Sequence, residues 1–421
     1  MLEKLQIEGG CVLHGDVHIS GAKNAALPMM CLSLLTEEPC TLSNVPDLHD
    51  VKGLLSILNY IGVESFFEQD PETLVLSGKN LQAKEAPYDM VRKMRASILI
   101  LGPMLARFGE AKISLPGGCA IGVRPVDQHL KAMESMGADI KVENGYVFAK
   151  AKQLKPTDFT FSMVTVTGTM NALMAAALIS SAKSTFRNCA FEPEVVQLCQ
   201  MLCAMGCDID GIGTSTLHIQ GKTSLSGFKC SLIPDRIEAG TYAIAAGITG
   251  GEVFLKDCQE ILLAEVFGVL RACGLDAESK DGGVWVKGND SLTAHSIKTQ
   301  VYPGFPTDLQ AQYMALMTVA QGECTIEETI FENRFMHVAE LNRMGAKIKI
   351  DGSIAKITGV AQLTGAPVMA TDLRASAGLV LAGLAAQGVT EVMRIYHLDR
   401  GYVSMEKKLE ALGAKIKRLP Q

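Results

Sequence analysis

One short motif recurs six times in this chain. An apolar residue followed by glycine closes a helical stretch at Ile61-Gly62, Met136-Gly137, Met205-Gly206, Cys273-Gly274, Met344-Gly345 and Leu412-Gly413. Successive copies stand about 70 residues apart, longer than the common solenoid periods, so each repeat is a subdomain rather than one solenoid turn. Four residues before the glycines lie Leu58, Met133, Leu202, Leu270, Leu341 and Leu409. That spacing gives every helix the same apolar face and leaves the glycine to cap its C-terminus.

Upstream of each motif, a second apolar helix leads into a strand. Examples are 25–35 followed by 40–42, and 96–105 followed by 112–115; similar stretches begin near Met170, Thr241, Gln310 and Ala375. A unit of helix, strand, loop, helix and strand cannot cover its own apolar faces, whereas three together close a core. The expected fold is therefore α/β, with six helix-strand repeats in two domains. Repeats one to three fall in residues 21–232. Repeats four to six fall in 1–20 plus 233–421, the strand at Leu5 to Ile7 joining the second domain. A cleft between two such lobes, where loops converge and closure expels water, is the expected place for chemistry.

Composition removes several function classes. Of 421 residues, 48% are apolar and 20% charged, and the net charge is −6, which argues against a nucleic-acid or anionic-membrane surface. The longest uncharged apolar stretches, near 172–179 and 375–386, fall short of the ~20 residues that cross a bilayer. The N-terminus carries Glu3, Lys4 and Glu8 with no apolar leader, so the expected location is the cytoplasm. Twelve cysteines without the regular spacing of a secreted scaffold are expected as free thiols.

Cys199, Cys203 and Cys207 stand four apart, but the first and last occupy positions that are apolar in other repeats, so packing explains them and no metal is expected. Neither a Walker loop nor a dinucleotide fingerprint is present, and no cofactor is expected.

Charged residues recur at matching places in the repeats. Lys23 and Asn24, Arg95, Asp308, and Asp372 with Arg374 stand at the starts of apolar helices, while Cys119, Arg124, Arg334 and Arg400 lie in loops after strands. Helix N-termini favour anions, and guanidinium forks match phosphate and carboxylate oxygens. A phosphorylated small molecule is the natural ligand of such a set. The loop Pro116-Gly117-Gly118-Cys119-Ala120-Ile121-Gly122 presents a thiol on flexible backbone, and nearby Arg124 favours its thiolate.

Several segments together resemble one family. They are Ser20 to Pro28, Met94 to Ser97, Leu115 to Cys119, Arg124 to Asp127, Pro234 to Glu238, Phe305 to Asp308, Phe331 to His337, Ala370 to Ser376 and His397 to Tyr402. Along essentially its whole length the chain is similar to the UDP-N-acetylglucosamine 1-carboxyvinyltransferases, enzymes of the first committed step of peptidoglycan synthesis. The resemblance implies an inside-out α/β barrel pair and two substrates, phosphoenolpyruvate and UDP-N-acetylglucosamine.

It also implies residue roles. Lys23, Arg124 and Arg400 would hold phosphoenolpyruvate, and Asn24 would help to position the reactants. Arg95, the stretch Arg124, Pro125, Val126, Asp127 and Gln128, then Thr165, Val166, Asp308 and Ile330 would contact the nucleotide sugar. Arg334, Asp372 and Arg374 would join the binding set, Cys119 would be the general acid and fosfomycin target, and Asp308 would lie nearest the attacking sugar hydroxyl.

One departure stands out. Many family members carry a lysine followed by Ser-Val-Gly where this chain reads Met163-Val164-Thr165-Val166-Thr167, which alters the expected grip on the diphosphate. Two other readings stay open from the residues alone: a 5-enolpyruvylshikimate-3-phosphate synthase, and a non-catalytic sugar-nucleotide sensor on the same scaffold.

Overall fold

A computed structural model describes residues 3–70, 72–82, 88–91, 94–115, 126–289 and 291–421, which fall into two compact units. Among the described residues, one unit holds those between Gly21 and Ile233, and the other combines those through Ser20 with Pro234–Gln421.

The six glycine motifs close their helices in one way. Each glycine takes a positive φ, from 91° at Gly137 to 116° at Gly206. In every copy the glycine N–H reaches the carbonyl three residues back and the next N–H reaches the carbonyl four residues before the glycine. Examples are Gly345 to Asn342 at 3.0 Å and Ala346 to Leu341 at 3.1 Å. The residue four before the glycine therefore does two jobs. Leu341 buries its side chain while its carbonyl accepts the bond that ends the helix.

A β-carbon on Gly345 would meet nothing within 4 Å, so only backbone strain opposes a side chain there. Gly345→Ala is expected to lower stability by about 1 kcal/mol in urea denaturation. An unchanged midpoint would show that the left-handed residue is not required.

After each motif the chain turns into strands, and the sheets repeat one order. In the unit ending at Gln421, Asp276–Lys280, Gly283–Lys287 and Glu252–Lys256 pair antiparallel, and His14–His18 adds a parallel edge to the last. Lys347–Asp351, Ile354–Thr358, Glu323–Glu327 and Ile297–Lys298 repeat the pattern. In the third sheet the N-terminal strand Glu3–Glu8 takes the second place. It lies between Lys415–Pro420 and Val389–Met393, with Pro367–Met369 parallel at the edge. The last repeat thus borrows a strand from the start of the chain, where Leu5 and Ile7 are fully buried.

The Gly21–Ile233 unit has two sheets of this kind. One orders Glu64–Phe67, Leu74–Ser77, Cys40–Ser43 and Phe228–Ser231; the other orders Asp208–Asp210, Thr216–Gln220, Ser184–Arg187 and Asp158–Thr160. A third, among the described residues, has three strands, Asp139–Glu143, Tyr146–Lys150 and Glu110–Ser114.

The apolar helix that opens each repeat lies inside its unit, while the helices that end in the glycine motifs keep an exposed face. In the C-terminal unit all eight residues of Gln310–Met317 are buried, as are all of Arg236–Ile248 except Arg236 and all of Leu373–Ala385 except its two end residues. A helix apolar all round has no solvent face and must sit within the core. The strands alternate instead: Cys324 and Ile326 of Glu323–Glu327 face inward while their neighbours do not. In the Gly21–Ile233 unit, Lys23–Cys31, Leu101–Phe108 and Val166–Ala176 hold the inner positions. Each sheet stays open, so no closed barrel forms among the described residues.

The three inner helices of the C-terminal unit are parallel. Their first turns share polar contacts, described below, while Ile248, Ala320 and Ala385 at their far ends line one cavity of about 460 Å³. Where this unit's chain reaches Ser20, a buried ion pair holds it: Glu238 accepts from Lys408 Nζ at 2.8 Å and from the Ser20 N–H at 2.7 Å. Among the described residues no helix is long and apolar enough to cross a membrane.

Candidate active site

Asp308 is the centre of the C-terminal unit's polar set. It lies in the short helical turn Thr307–Leu309 that leads into Gln310–Met317. Arg334 Nη2 donates to Oδ1 at 3.0 Å, and Arg374 donates to Oδ2 from both Nε and Nη2 at 3.1 Å. Both guanidinium groups are buried, at 3% and 4% exposure, whereas the Asp308 side chain is 28% exposed. Two cations flank one carboxylate that solvent, and hence a substrate, still reaches. Three helix N-termini add positive potential here, and Asp235 and Asp372 cap two of them.

Those N-termini meet in a buried network. Gln312 Nε2 lies 2.9 Å from the Tyr402 hydroxyl, 3.2 Å from Thr241 Oγ1 and 3.0 Å from the Asp308 carbonyl. Thr241 donates its own proton to the Ile237 carbonyl at 2.8 Å, so its oxygen accepts from Tyr402 at 2.9 Å. The Tyr402 ring lies 5.4 Å from the Arg374 guanidinium. Burial pushes the Tyr402 hydroxyl up and keeps it neutral. For Arg374, burial works against the charge, but Asp308, Tyr402 and Asp235 outweigh it and hold the guanidinium firmly protonated.

Asp372 caps Leu373–Ala385, accepting from the Arg374 and Ala375 N–H groups at 2.9 and 3.0 Å, which seats Arg374 in the first turn. Arg400 closes the turn Ile395–Arg400, and its charge helps burial to lower the His397 pKa. Glu328 fixes the Ile330 loop. It is 4% exposed and accepts from the Ile330 and Phe331 N–H groups and from the Thr299 and Thr307 hydroxyls, at 2.9 to 3.2 Å. Thr307 precedes Asp308, so one buried carboxylate ties the Ile330 loop to the Asp308 turn.

In the Gly21–Ile233 unit, Lys23 opens the helix Lys23–Cys31 and pairs with Asp50 at 3.1 Å, both nearly buried, while Asn24 is exposed. Arg95 begins the turn Arg95–Ile100. Val126 caps the helix Asp127–Ser135, and Gln128 bridges it to the neighbouring loop. Its Nε2 donates to Asp127 Oδ2 at 2.8 Å and to Ser162 Oγ at 2.7 Å, and its Oε1 accepts the Ser162 N–H at 2.9 Å. Thr165 caps Val166–Ala176 by accepting the Gly168 N–H at 3.2 Å, and Met163 is 55% exposed.

Cys119, Arg124 and Pro125 lie outside the described residues. Of the others singled out from sequence, the C-terminal unit joins Asp308, Arg334 and Arg374 directly, with Asp372 two residues before Arg374 and bonded to its N–H. In the Gly21–Ile233 unit the direct pairings are Lys23 with Asp50 and Asp127 with Gln128. Thr241, Gln312 and Glu328 stand outside the set of site residues read from the sequence, and Tyr402 enters that reading only as the end of the segment His397 to Tyr402. A polar residue in an otherwise apolar helix, such as Thr241 or Gln312, is the trace that marks them. Burial explains the outer two cysteines of the four-residue stripe: it pushes Cys199 and Cys207 up to about 12, too high for a reactive thiolate.

Two buried histidines set an acid limit on stability. Burial, aided by Arg95, lowers His129 from 6.5 to about 3; burial lowers His337 to about 4 although Asp372 opposes and Arg334 assists. Below pH 6.5 the unfolded chain binds protons that these folded groups refuse, so stability falls with pH. The slope reaches about 1.4 kcal/mol per pH unit for each histidine. The urea midpoint is expected to fall already between pH 6.5 and 5, above the range of ordinary carboxylates. A flat profile there would contradict the buried neutral rings.

The comparisons with known proteins follow the same line. Residues 7–409 match the family EPSP synthase (3-phosphoshikimate 1-carboxyvinyltransferase). A UDP-N-acetylglucosamine 1-carboxyvinyltransferase of Desulfovibrio desulfuricans is 54% identical over 421 residues, covering 100% of each chain. One of the same name from Desulforapulum autotrophicum is 51% identical over 419 residues, 99% of this chain and 100% of that one.

Among solved structures, the enolpyruvyl transferase NikO from Streptomyces tendae has a TM-score of 0.88 at 25% identity, covering 100% of both chains. An EPSP synthase from Acinetobacter baumannii has a TM-score of 0.76 at 18% identity, over 99% of this chain and 100% of that one, and shows the shared fold. Alike over its full length to two such enzymes and folded as enolpyruvyl transferases fold, the chain belongs to the EPSP synthase family and, within it, to the UDP-N-acetylglucosamine 1-carboxyvinyltransferases.

Proposed function

We propose that this chain transfers the enolpyruvyl group of phosphoenolpyruvate to the 3′-hydroxyl of UDP-N-acetylglucosamine, releasing phosphate, as the first committed step of peptidoglycan synthesis in the cytoplasm. The observation that carries the reading is the 54% identity, over the full length of both chains, to an enzyme of that name. The geometry of Asp308 supports it, since a solvent-reachable carboxylate between two buried guanidinium groups suits proton abstraction beside anionic groups.

In this mechanism an acid protonates the methylene of phosphoenolpyruvate and makes the neighbouring carbon electrophilic. Cys119 takes that role by resemblance. Asp308 accepts the proton of the sugar hydroxyl as its oxygen attacks, giving a tetrahedral ketal. Loss of phosphate and of a methyl proton restores the double bond. Arg334, Arg374, Arg400, Lys23 and Arg124 stabilise the phosphate and carboxylate charge throughout. Asn24, Arg95, Val126, Asp127, Gln128, Thr165, Val166 and Ile330 hold the acceptor, and Asp372 seats Arg374.

The test is phosphate release from phosphoenolpyruvate with each acceptor in turn. Release with UDP-N-acetylglucosamine and none with shikimate 3-phosphate is the expected result. The reverse preference would favour the shikimate enzyme, and release with neither would favour a sensor.

A further inference from the structure

The helix Val166–Ala176 opens beside a buried polar chain that the proposed steps leave unused. Asn171 is fully buried and can stand only one way round. Its Oδ1 accepts the Gly102 N–H at 2.7 Å, and its Nδ2 donates to the Ile98 carbonyl at 2.8 Å. Glycine is required at 102, because a β-carbon would lie 2.4 Å from Asn171 Oδ1.

The second hydrogen of Asn171 Nδ2 meets His129 Nδ1 at 3.0 Å, so Nδ1 is an acceptor. His129 is 2% exposed, and burial keeps it neutral. Its single proton therefore sits on Nε2, which faces Thr167 Oγ1 at 3.2 Å. The ring donates and the threonine oxygen accepts, which turns the Thr167 hydroxyl proton away from the ring.

Thr165 is in a similar position. Its oxygen accepts the Gly168 N–H, which leaves its own proton to be donated elsewhere. Among the described residues no protein acceptor takes either proton. Both threonines are partly exposed, and Arg95 lies near enough for its charge to act on His129. Two hydroxyl donors and a nearby guanidinium suit an oxyanion. They stand in the segment where Met163 replaces the lysine that the family resemblance leads one to expect.

We propose that His129 is a positioning residue for the acceptor substrate: by donating to Thr167 it aims the threonine hydroxyl, with that of Thr165, at the phosphates of a nucleotide diphosphate, a neutral grip in place of an ammonium group. The inference rests on the reading under Proposed function and adds how this chain holds the phosphates of that substrate.

Thr167→Val keeps the side-chain shape and removes the hydroxyl. It is expected to raise KM for UDP-N-acetylglucosamine about tenfold while kcat and KM for phosphoenolpyruvate stay within about twofold. Thr167→Ser should restore the wild-type value, and Met163→Lys added to Thr167→Val should recover most of the loss. Nitrogen-15 NMR of the wild-type protein should show neutral His129 with the proton on Nε2.

An unchanged KM in Thr167→Val, equal losses in kcat and in KM for both substrates, or a proton on Nδ1 overturns the proposal. A wild-type protein that releases no phosphate with this acceptor removes the functional reading and the inference with it. Wild-type activity beside an indifferent Thr167→Val overturns the inference alone.

Discussion

Asp308→Asn is expected to lower kcat by at least about 100-fold, the usual scale for losing a positioned general base. The amide keeps the size of the carboxylate but cannot take up the hydroxyl proton. It also turns an NH2 donor toward either the Arg334 or the Arg374 guanidinium, each of which now meets an Asp308 oxygen at 3.0 to 3.1 Å. That mismatch costs about 1–3 kcal/mol of stability, so folding must be checked by denaturation under the assay conditions. Calorimetric binding of UDP-N-acetylglucosamine to the variant then separates chemistry from recognition. If kcat holds and only KM rises, Asp308 positions the sugar and another group is the base.

Arg374→Met is expected to destabilise the protein by about 3 kcal/mol, at the low end of the range for breaking a buried ion pair. The lower end applies because Asp308 is 28% exposed and retains Arg334, so its charge is not stranded. Methionine fills much of the space against Tyr402 but leaves Asp308 Oδ2 without the Nε and Nη2 donors. A double-mutant cycle with Asp308→Asn measures the coupling: the two losses should add to more than the double variant shows. Strict additivity would mean that each residue is held by its other neighbours and that the pair contributes nothing of its own.

The repeat was legible in the sequence because its cause is local. A glycine with positive φ and a buried residue four positions earlier are needed wherever a helix ends in this way, so Leu58-Gly62 and Leu409-Gly413 announce themselves without any knowledge of their neighbours. Fully apolar helices such as Gln310–Met317 are similarly self-declaring, as nothing but a core can receive them. The charged starts of those helices, Lys23, Asp308 and Asp372, could be picked out for the same reason: a charge beside an apolar run is conspicuous.

Pairing was not legible, since it depends on residues far apart in the chain. Asp308 meets Arg334 and Arg374 at separations of 26 and 66 residues, and Gln312 meets Tyr402 across 90. No local period encodes such distances. The His129 tautomer is further removed still. It follows from Asn171, whose orientation follows in turn from Gly102 and Ile98, and each link is a contact between different helices. Helix ends, inner helices and the positions of charge were therefore set by neighbours within a few residues along the chain. Which charge faces which, and where each proton lies, was decided only by packing, because hydrogen-bond direction depends on every donor and acceptor that the fold brings within reach.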